Sequence, residues 1–174
     1  MAEPDLGDVL RTLERNDVRY VVIGAQAAVI HGAPLLTEDL DITPARDRDN
    51  LERLSGALSA LAAKLRSPSD PDGVAFPIEP EMLATAESWT LTTPLGDLDL
   101  VFAPAGTGGY DDLRRHATLV RVADDLSVWV ASLADVIRCK EAANRVKDQM
   151  QLPILRRTLE EIRDRERGSA KQVR

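Results

Sequence analysis

Leu6, Val9, Leu10 and Leu13 recur at i, i+3, i+4 and i+7, so residues 5 to 15 predict an amphipathic helix. The pattern then changes period. Arg-Tyr-Val-Val-Ile-Gly at 19–24 is apolar and β-branched and ends in glycine, which predicts a buried strand. Residues 25–30 read as a short helix closed by His31 and Gly32, with Pro34 barring its continuation. From Thr37 to Thr43 the chain alternates: Thr37, Asp39, Asp41 and Thr43 point one way, and Glu38, Leu40 and Ile42 the other.

Leu51, Leu54, Leu58 and Leu61 stand at helical spacing and predict a long helix over 47–65, while 67–73, rich in proline and aspartate, reads as a loop. Segments 90–93 and 95–102 predict two strands joined by a turn at Pro94 to Gly96. After the glycines at 106–109 comes a short helical piece, then a hairpin over 117–122 and 126–131 turning at Asp124 and Asp125. Ser132 and Asp135 form a capping box that opens a helix to about Asn144, and a last helix is placed after Pro153, with a frayed arginine-rich end from 163. Strands and helices mix without strict alternation, so the predicted class is α+β. Residues 1–131 are expected to form a core, with 132–174 as helices packed on it.

Charge sharpens this division. The net charge is −7, but residues 138–174 hold 11 of the 22 Lys+Arg and 6 of the 29 Asp+Glu. A basic tail therefore follows a strongly acidic body, which fits either a solvated amphipathic helix or a phosphate-binding surface. Only four residues are lysine, two of them Lys140 and Lys147. Cys139 is the single cysteine, so no disulfide framework exists, and it reads as an apolar filler. The first residues lack the basic and apolar regions of a signal peptide, and no apolar stretch approaches a membrane span, so a cytoplasmic location is expected.

Candidate chemistry lies in the aspartates. Asp39 and Asp41, two apart on one strand face, sit about 7 Å apart at Cα and can converge on one cation. Aspartate is depleted in strands and the pair repels itself, so Mg²⁺ or Mn²⁺ is the natural counter-charge; the bland alternative is a pair of solvated turn aspartates. A second acidic strand carries Asp97 and Asp99, and Asp99, set between Leu98 and Leu100, is the better third carboxylate. Such a group can complete a two-metal site or take the proton of an attacking hydroxyl. Gly24, ending a strand and opening a helix, either lets phosphate approach the backbone or serves the turn alone.

Val22-Ile-Gly24-Ala25-Gln26-Ala-Ala-Val-Ile-His31-Gly32, Thr37-Glu-Asp39-Leu-Asp41-Ile and Leu98-Asp99-Leu100 together resemble the signature of the DNA-polymerase-β-like nucleotidyltransferase superfamily. The stretch from Leu133 through Lys140 and Arg145 to Lys147 and Asp148 resembles a segment of AbiEii-type and MenT-type toxin nucleotidyltransferases. The resemblance implies Asp39, Asp41 and Asp99 as metal ligands, Lys140 as a further catalytic group, and Gly24, Ala25, Gln26, Thr37, Lys147 and Asp148 as contacts to a nucleoside triphosphate. It also implies a tRNA 3′ end as acceptor and a toxin restrained by an antitoxin protein. Two departures stand out: Ala25 replaces the usual glycine or serine, and Leu35 and Leu36 stand where many relatives carry arginine.

Other readings keep the chemistry and change the acceptor to a protein or antibiotic hydroxyl, or make the chain a catalytically silent binding relative. Lys140 falls on the inward face of its helix with Leu133, Val136 and Ile137, so it either pairs with a carboxylate, extends its head to solvent, or reaches the carboxylates. His31 reads as a helix cap, and Tyr110 and Trp129 as core rather than base-stacking platforms.

Overall fold

The computed structural model describes residues 5–172; the first four residues and the last two of the basic tail lie outside the described residues. In chain order the elements are α1 (Leu6–Arg15), β1 (Tyr20–Ile23), α2 (Gly24–Ile30), β2 (Asp39–Pro44), α3 (Arg48–Ala60), β3 (Lys64–Ser67), β4 (Asp70–Val74) and α4 (Pro80–Leu83). They continue with β5 (Ser88–Thr93), β6 (Gly96–Val101), α5 (Tyr110–His116), β7 (Thr118–Ala123), β8 (Leu126–Val130), α6 (Leu133–Ala143) and α7 (Val146–Gln172). The class is α+β. All strands join one mixed sheet in the order β4-β3-β5-β6-β2-β1-β8-β7.

Alternation along the strands divides the sheet into two faces. Leu40 and Ile42 of β2, Leu91 of β5, and Leu98 and Leu100 of β6 have no exposed surface. They share one core with Leu13 of α1 and Leu54 and Leu58 of α3. Each such side chain contributes roughly 2 kcal/mol by leaving water, which anchors the central strands and whatever their other faces carry. The central pairing is parallel: Asp39 stands beside Asp97 and Asp41 beside Asp99. On the other side β1 runs antiparallel to β2, placing Ile23 opposite Asp41.

Three elements differ from the sequence reading. Helix α3 stops at Ala60 rather than continuing to Leu65, because the Ala62 amide bonds Ser59 and the Ala63 amide bonds Leu58, both at 3.0 Å, with Ala62 at φ 50°. This is a Schellman end whose left-handed position holds alanine instead of the usual glycine, so no glycine marked it. The segment read as a loop is a hairpin of β3 and β4; Pro71 is tolerated because β4 is an edge strand.

The last helix begins at Val146, not after Pro153, because Asp148 reaches back to the Arg145 amide at 3.2 Å and closes the first turn; Pro153 lies inside the helix. It continues to Gln172, so residues 163–172 are helical and not frayed. Helix α4 lies in a stretch for which no element was expected, and the remaining elements fall within a few residues of their predicted bounds. No helix among the described residues is long and apolar enough to cross a membrane.

Alanine at a left-handed position costs about 1 kcal/mol relative to glycine. Ala62→Gly should therefore raise the unfolding free energy by about 0.5–1 kcal/mol in urea melts, with an unchanged slope. A destabilised variant would contradict this helix ending.

Candidate active site

The face of β2 and β6 turned away from the leucine core carries Asp39, Asp41, Asp97 and Asp99 as two adjacent pairs. Asp39, Asp41 and Asp99 line a cavity of about 590 Å³. From the β1–α2 turn Gly24 and Ala25 join the lining, Thr37 joins from the segment before β2, and Lys140, Arg145, Lys147 and Asp148 come from the α6–α7 junction. Nine of the ten residues singled out from sequence thus meet at one cleft; Gln26, half-buried on α2, is not part of the lining.

Gly24 has a local reason to be glycine. Its φ is +66°, and a Cβ there would lie 2.4 Å from Asp41 Oδ2. The missing side chain makes room for the carboxylate itself, a closer constraint than the approach of a phosphate. Thr37 turns its hydroxyl to the Asp39 carbonyl at 3.3 Å.

Lys140 is 8% exposed, and its Nζ donates to Asp148 Oδ1 at 3.2 Å. The fully buried Asp148 also accepts from Arg145 Nε at 2.7 Å and Nη2 at 3.3 Å, besides the Arg145 amide. Burial opposes its charge, but the Arg145 and Lys140 hydrogen bonds prevail and hold its carboxyl below the ordinary value. Asp148, expected as a contact to triphosphate, lines the cavity and is bonded there by two cations. Lys140 is thus the paired lysine of the sequence alternatives, and it also lines the cavity. Asn144, left-handed at φ 50°, separates α6 from α7 and lets the two helices bring these groups together.

Arg66 was missed by the sequence reading, since it fell between an expected helix and an expected loop. On β3 it follows Leu65, which pairs with Leu91 of β5, and its Nη2 donates to Asp99 Oδ1 at 3.0 Å and to the Leu91 carbonyl at 3.2 Å. Its Nε stands 3.1 Å from Asp97 Oδ2, an ion pair without hydrogen-bond alignment. The signal available in sequence was an arginine amid apolar and small residues before a proline, too common to single out.

Burial first, then repulsion from Asp99 and Asp39, lifts the Asp41 carboxyl from the ordinary 3.8 to about 6, against the pull of Lys140 and Lys147. Burial also raises Asp99; Asp39 and Asp97 add to this and Arg66 opposes it. Burial pushes the Cys139 thiol up to about 11, which leaves it an inert part of the wall. His31 caps α2 and bonds the Ala131 carbonyl through Nε2 at 2.8 Å, tying α2 to the end of β8. Trp129 is half-buried with the Arg114 guanidinium 3.2 Å above its ring, so that face is taken. Tyr110 is likewise half-buried and packs against the core.

Among the described residues no three acidic, histidine or cysteine side chains are already gathered as a ligand set. Asp39 and Asp41 nevertheless suit a hard divalent cation: both supply oxygen, both face the cavity, and a cation would offset the burial and the carboxylate repulsion that together raise Asp41.

No known protein family matches this chain, and no curated protein matches it. Several solved structures share its fold, two of which cover nine-tenths or more of both chains. One is TM1012, a candidate nucleotidyltransferase of Thermotoga maritima, 17% identical, with 90% of this chain and 91% of that chain covered at a TM-score of 0.55. The other is the antibiotic-resistance factor ANT(2'')-Ia, 12% identical, with 97% and 92% covered at a TM-score of 0.54. The chain thus has the α+β fold of nucleotidyltransferase structures, in keeping with the fold expected from its sequence motifs.

The folded protein holds the Asp41 proton more tightly than the unfolded chain, so folding takes up a proton between pH about 4 and about 6. Stability of the metal-free protein should fall as pH rises through that window, by on the order of 2 kcal/mol. Asp41→Asn should flatten this part of the curve in thermal melts taken at pH 4 to 7. An equally steep curve in the variant would mean that another group is responsible.

Proposed function

We propose that this chain is a divalent-cation-dependent nucleotidyltransferase, moving a nucleoside monophosphate from a nucleoside triphosphate to an acceptor hydroxyl. The observation that carries the reading is the meeting of Asp39, Asp41 and Asp99, from two paired strands, with Lys140, Arg145 and Lys147 around one cleft. Carboxylates alone would repel a triphosphate, and cations alone would not organise a metal. Both in one cavity suit a substrate that arrives with a metal ion.

In this reading Asp39 and Asp41 hold Mg²⁺ or Mn²⁺, which supplies charge stabilisation at the phosphoryl oxygens. Gly24, Ala25 and Thr37 form the wall against which the nucleotide lies. Lys140 and Lys147 offset negative charge on the triphosphate, and Asp148 orients Lys140. Asp99, whose carboxyl burial raises above its ordinary value, takes the proton as the acceptor oxygen bonds the α-phosphorus. The bond from the α-phosphorus to the bridging oxygen breaks, and pyrophosphate leaves. Residues 1–131 thus contribute the carboxylates and 132–174 most of the cations.

For the acceptor, the toxin-like segment from Leu133 to Asp148 favours a tRNA 3′ end in the cytoplasm, with an antitoxin protein as the restraining partner. Arg145 and Lys147 are exposed at the mouth of the cleft and can meet a polynucleotide backbone. An antibiotic hydroxyl is the second reading, favoured by the shared fold with ANT(2'')-Ia.

Incubation with each α-labelled nucleoside triphosphate, Mg²⁺, total RNA and a set of hydroxyl-bearing antibiotics should leave label on RNA of tRNA size. Label on the drug would select the second reading, and no transfer from any nucleotide would remove both. Asp41→Ala should slow transfer by at least about a hundredfold, the equivalent of several kcal/mol lost at the metal. Near-normal rates in that variant would exclude Asp41 as a ligand.

A further inference from the structure

The register of four strands sets up a row across the sheet. Leu65 of β3 pairs with Leu91 of β5, so Arg66 comes level with Thr90; Thr90 pairs with Asp99, and Asp99 with Asp41. Strands lie about 4.8 Å apart, so the Arg66 backbone is about 10 Å from Asp99, a span that an extended arginine covers. The side chain crosses β5 and ends between two carboxylates, 3.0 Å from Asp99 and 3.1 Å from Asp97.

This guanidinium is well anchored. It also donates to the Leu91 carbonyl at 3.2 Å, and its side chain is 31% exposed. Charge-assisted bonds of this kind are among the stronger ones a protein makes. Mg²⁺ gives up its waters reluctantly, and at Asp99 it would meet a carboxylate whose Oδ1 is already bonded and a positive charge 3.0 Å from that oxygen. Of the four carboxylates on this face, Asp97 and Asp99 therefore share one guanidinium, whereas no ion pair among the described residues holds Asp39 or Asp41.

We propose that Arg66 takes the place of a second divalent cation: it reserves Asp97 and Asp99, and confines the metal to Asp39 and Asp41 in the nucleotide-free protein. This rests on the reading of the cleft as a metal-dependent site, and extends it by setting the number of ions and naming the residue that sets it. Arg66 acts through Asp99, so it is a positioning residue. Its guanidinium also keeps Asp99 close to the attacking hydroxyl without binding that carboxylate to metal.

The test is a count of bound Mn²⁺ by the loss of the free-ion electron paramagnetic resonance signal, with full-length, metal-free protein and no nucleotide. Wild type should bind one ion per chain. Arg66→Gln should bind two, because Asp97 and Asp99 lose their counter-charge; Arg66→Lys, which keeps a positive charge, should return the count to one. If Arg66→Gln does not give a cooperative melt, Arg66→Met keeps the aliphatic stem without the charge and should also bind two. Two ions in wild type, or one in both the glutamine and methionine variants, would overturn the assignment of Arg66 and leave the metal-site reading standing. No Mn²⁺ bound by wild type at millimolar concentration would overturn both, and so separates the two failures.

Discussion

Strand β2 runs beside β6 in parallel register, and that pairing sets four carboxylates next to one another on one face of the sheet. Like charges in such positions destabilise a sheet, and each further feature of the site answers that repulsion. The leucines on the opposite face hold the two strands in place through burial. Arg66 crosses from β3 to set one positive charge between Asp97 and Asp99. Gly24 gives up its side chain so that Asp41 has somewhere to lie. Asp39 and Asp41 have no ion pair among the described residues, and burial together with repulsion from Asp99 and Asp39 raises the Asp41 carboxyl.

A second electrostatic centre answers the first from across the cleft. Asp148 is fully buried, yet remains charged because Lys140 and Arg145 both bond it. A buried carboxylate without partners would be costly, and so would a buried ammonium; held together, they fix the junction of α6 and α7. The same bonds aim positive charge toward the carboxylate strands, as the downward pull of Lys140 on the Asp41 carboxyl indicates. The contacts that fix the junction and the charge that reaches Asp41 thus come from the same residues. Removing Asp148 would loosen both the first turn of α7 and the placement of the lysine.

The two centres also explain why the charge of the whole chain is a poor guide to its partners. The net charge of −7 averages an acidic sheet face with a basic helical tail. Along α7, Arg156 pairs with Glu141, Arg157 with Glu161 and Arg167 with Asp164, so part of that tail charge is compensated within the protein. Arg145 and Lys147 matter more for a phosphate-bearing ligand, because they stand at the cleft mouth.

Sequence by itself determined the elements whose signals are local. Strict alternation from Thr37 to Thr43 and the Leu98-Asp99-Leu100 triplet marked the acidic strands, because an aspartate between buried neighbours must face the other way. Ser132 and Asp135 marked the start of α6, because a helix end needs partners for its free amides. Tertiary structure alone decided the parallel pairing of β2 with β6, the hairpin of β3 and β4, and the reach of Arg66. It also decided the convergence of Lys140 and Arg145 on Asp148, and the end of α3 at an alanine. The physical reason is one of range: periodicity records which side of an element is buried, whereas strand partners and ion pairs depend on residues distant in the chain. The row from Arg66 through Thr90 and Asp99 to Asp41 draws on four strands, and no window of sequence contains it.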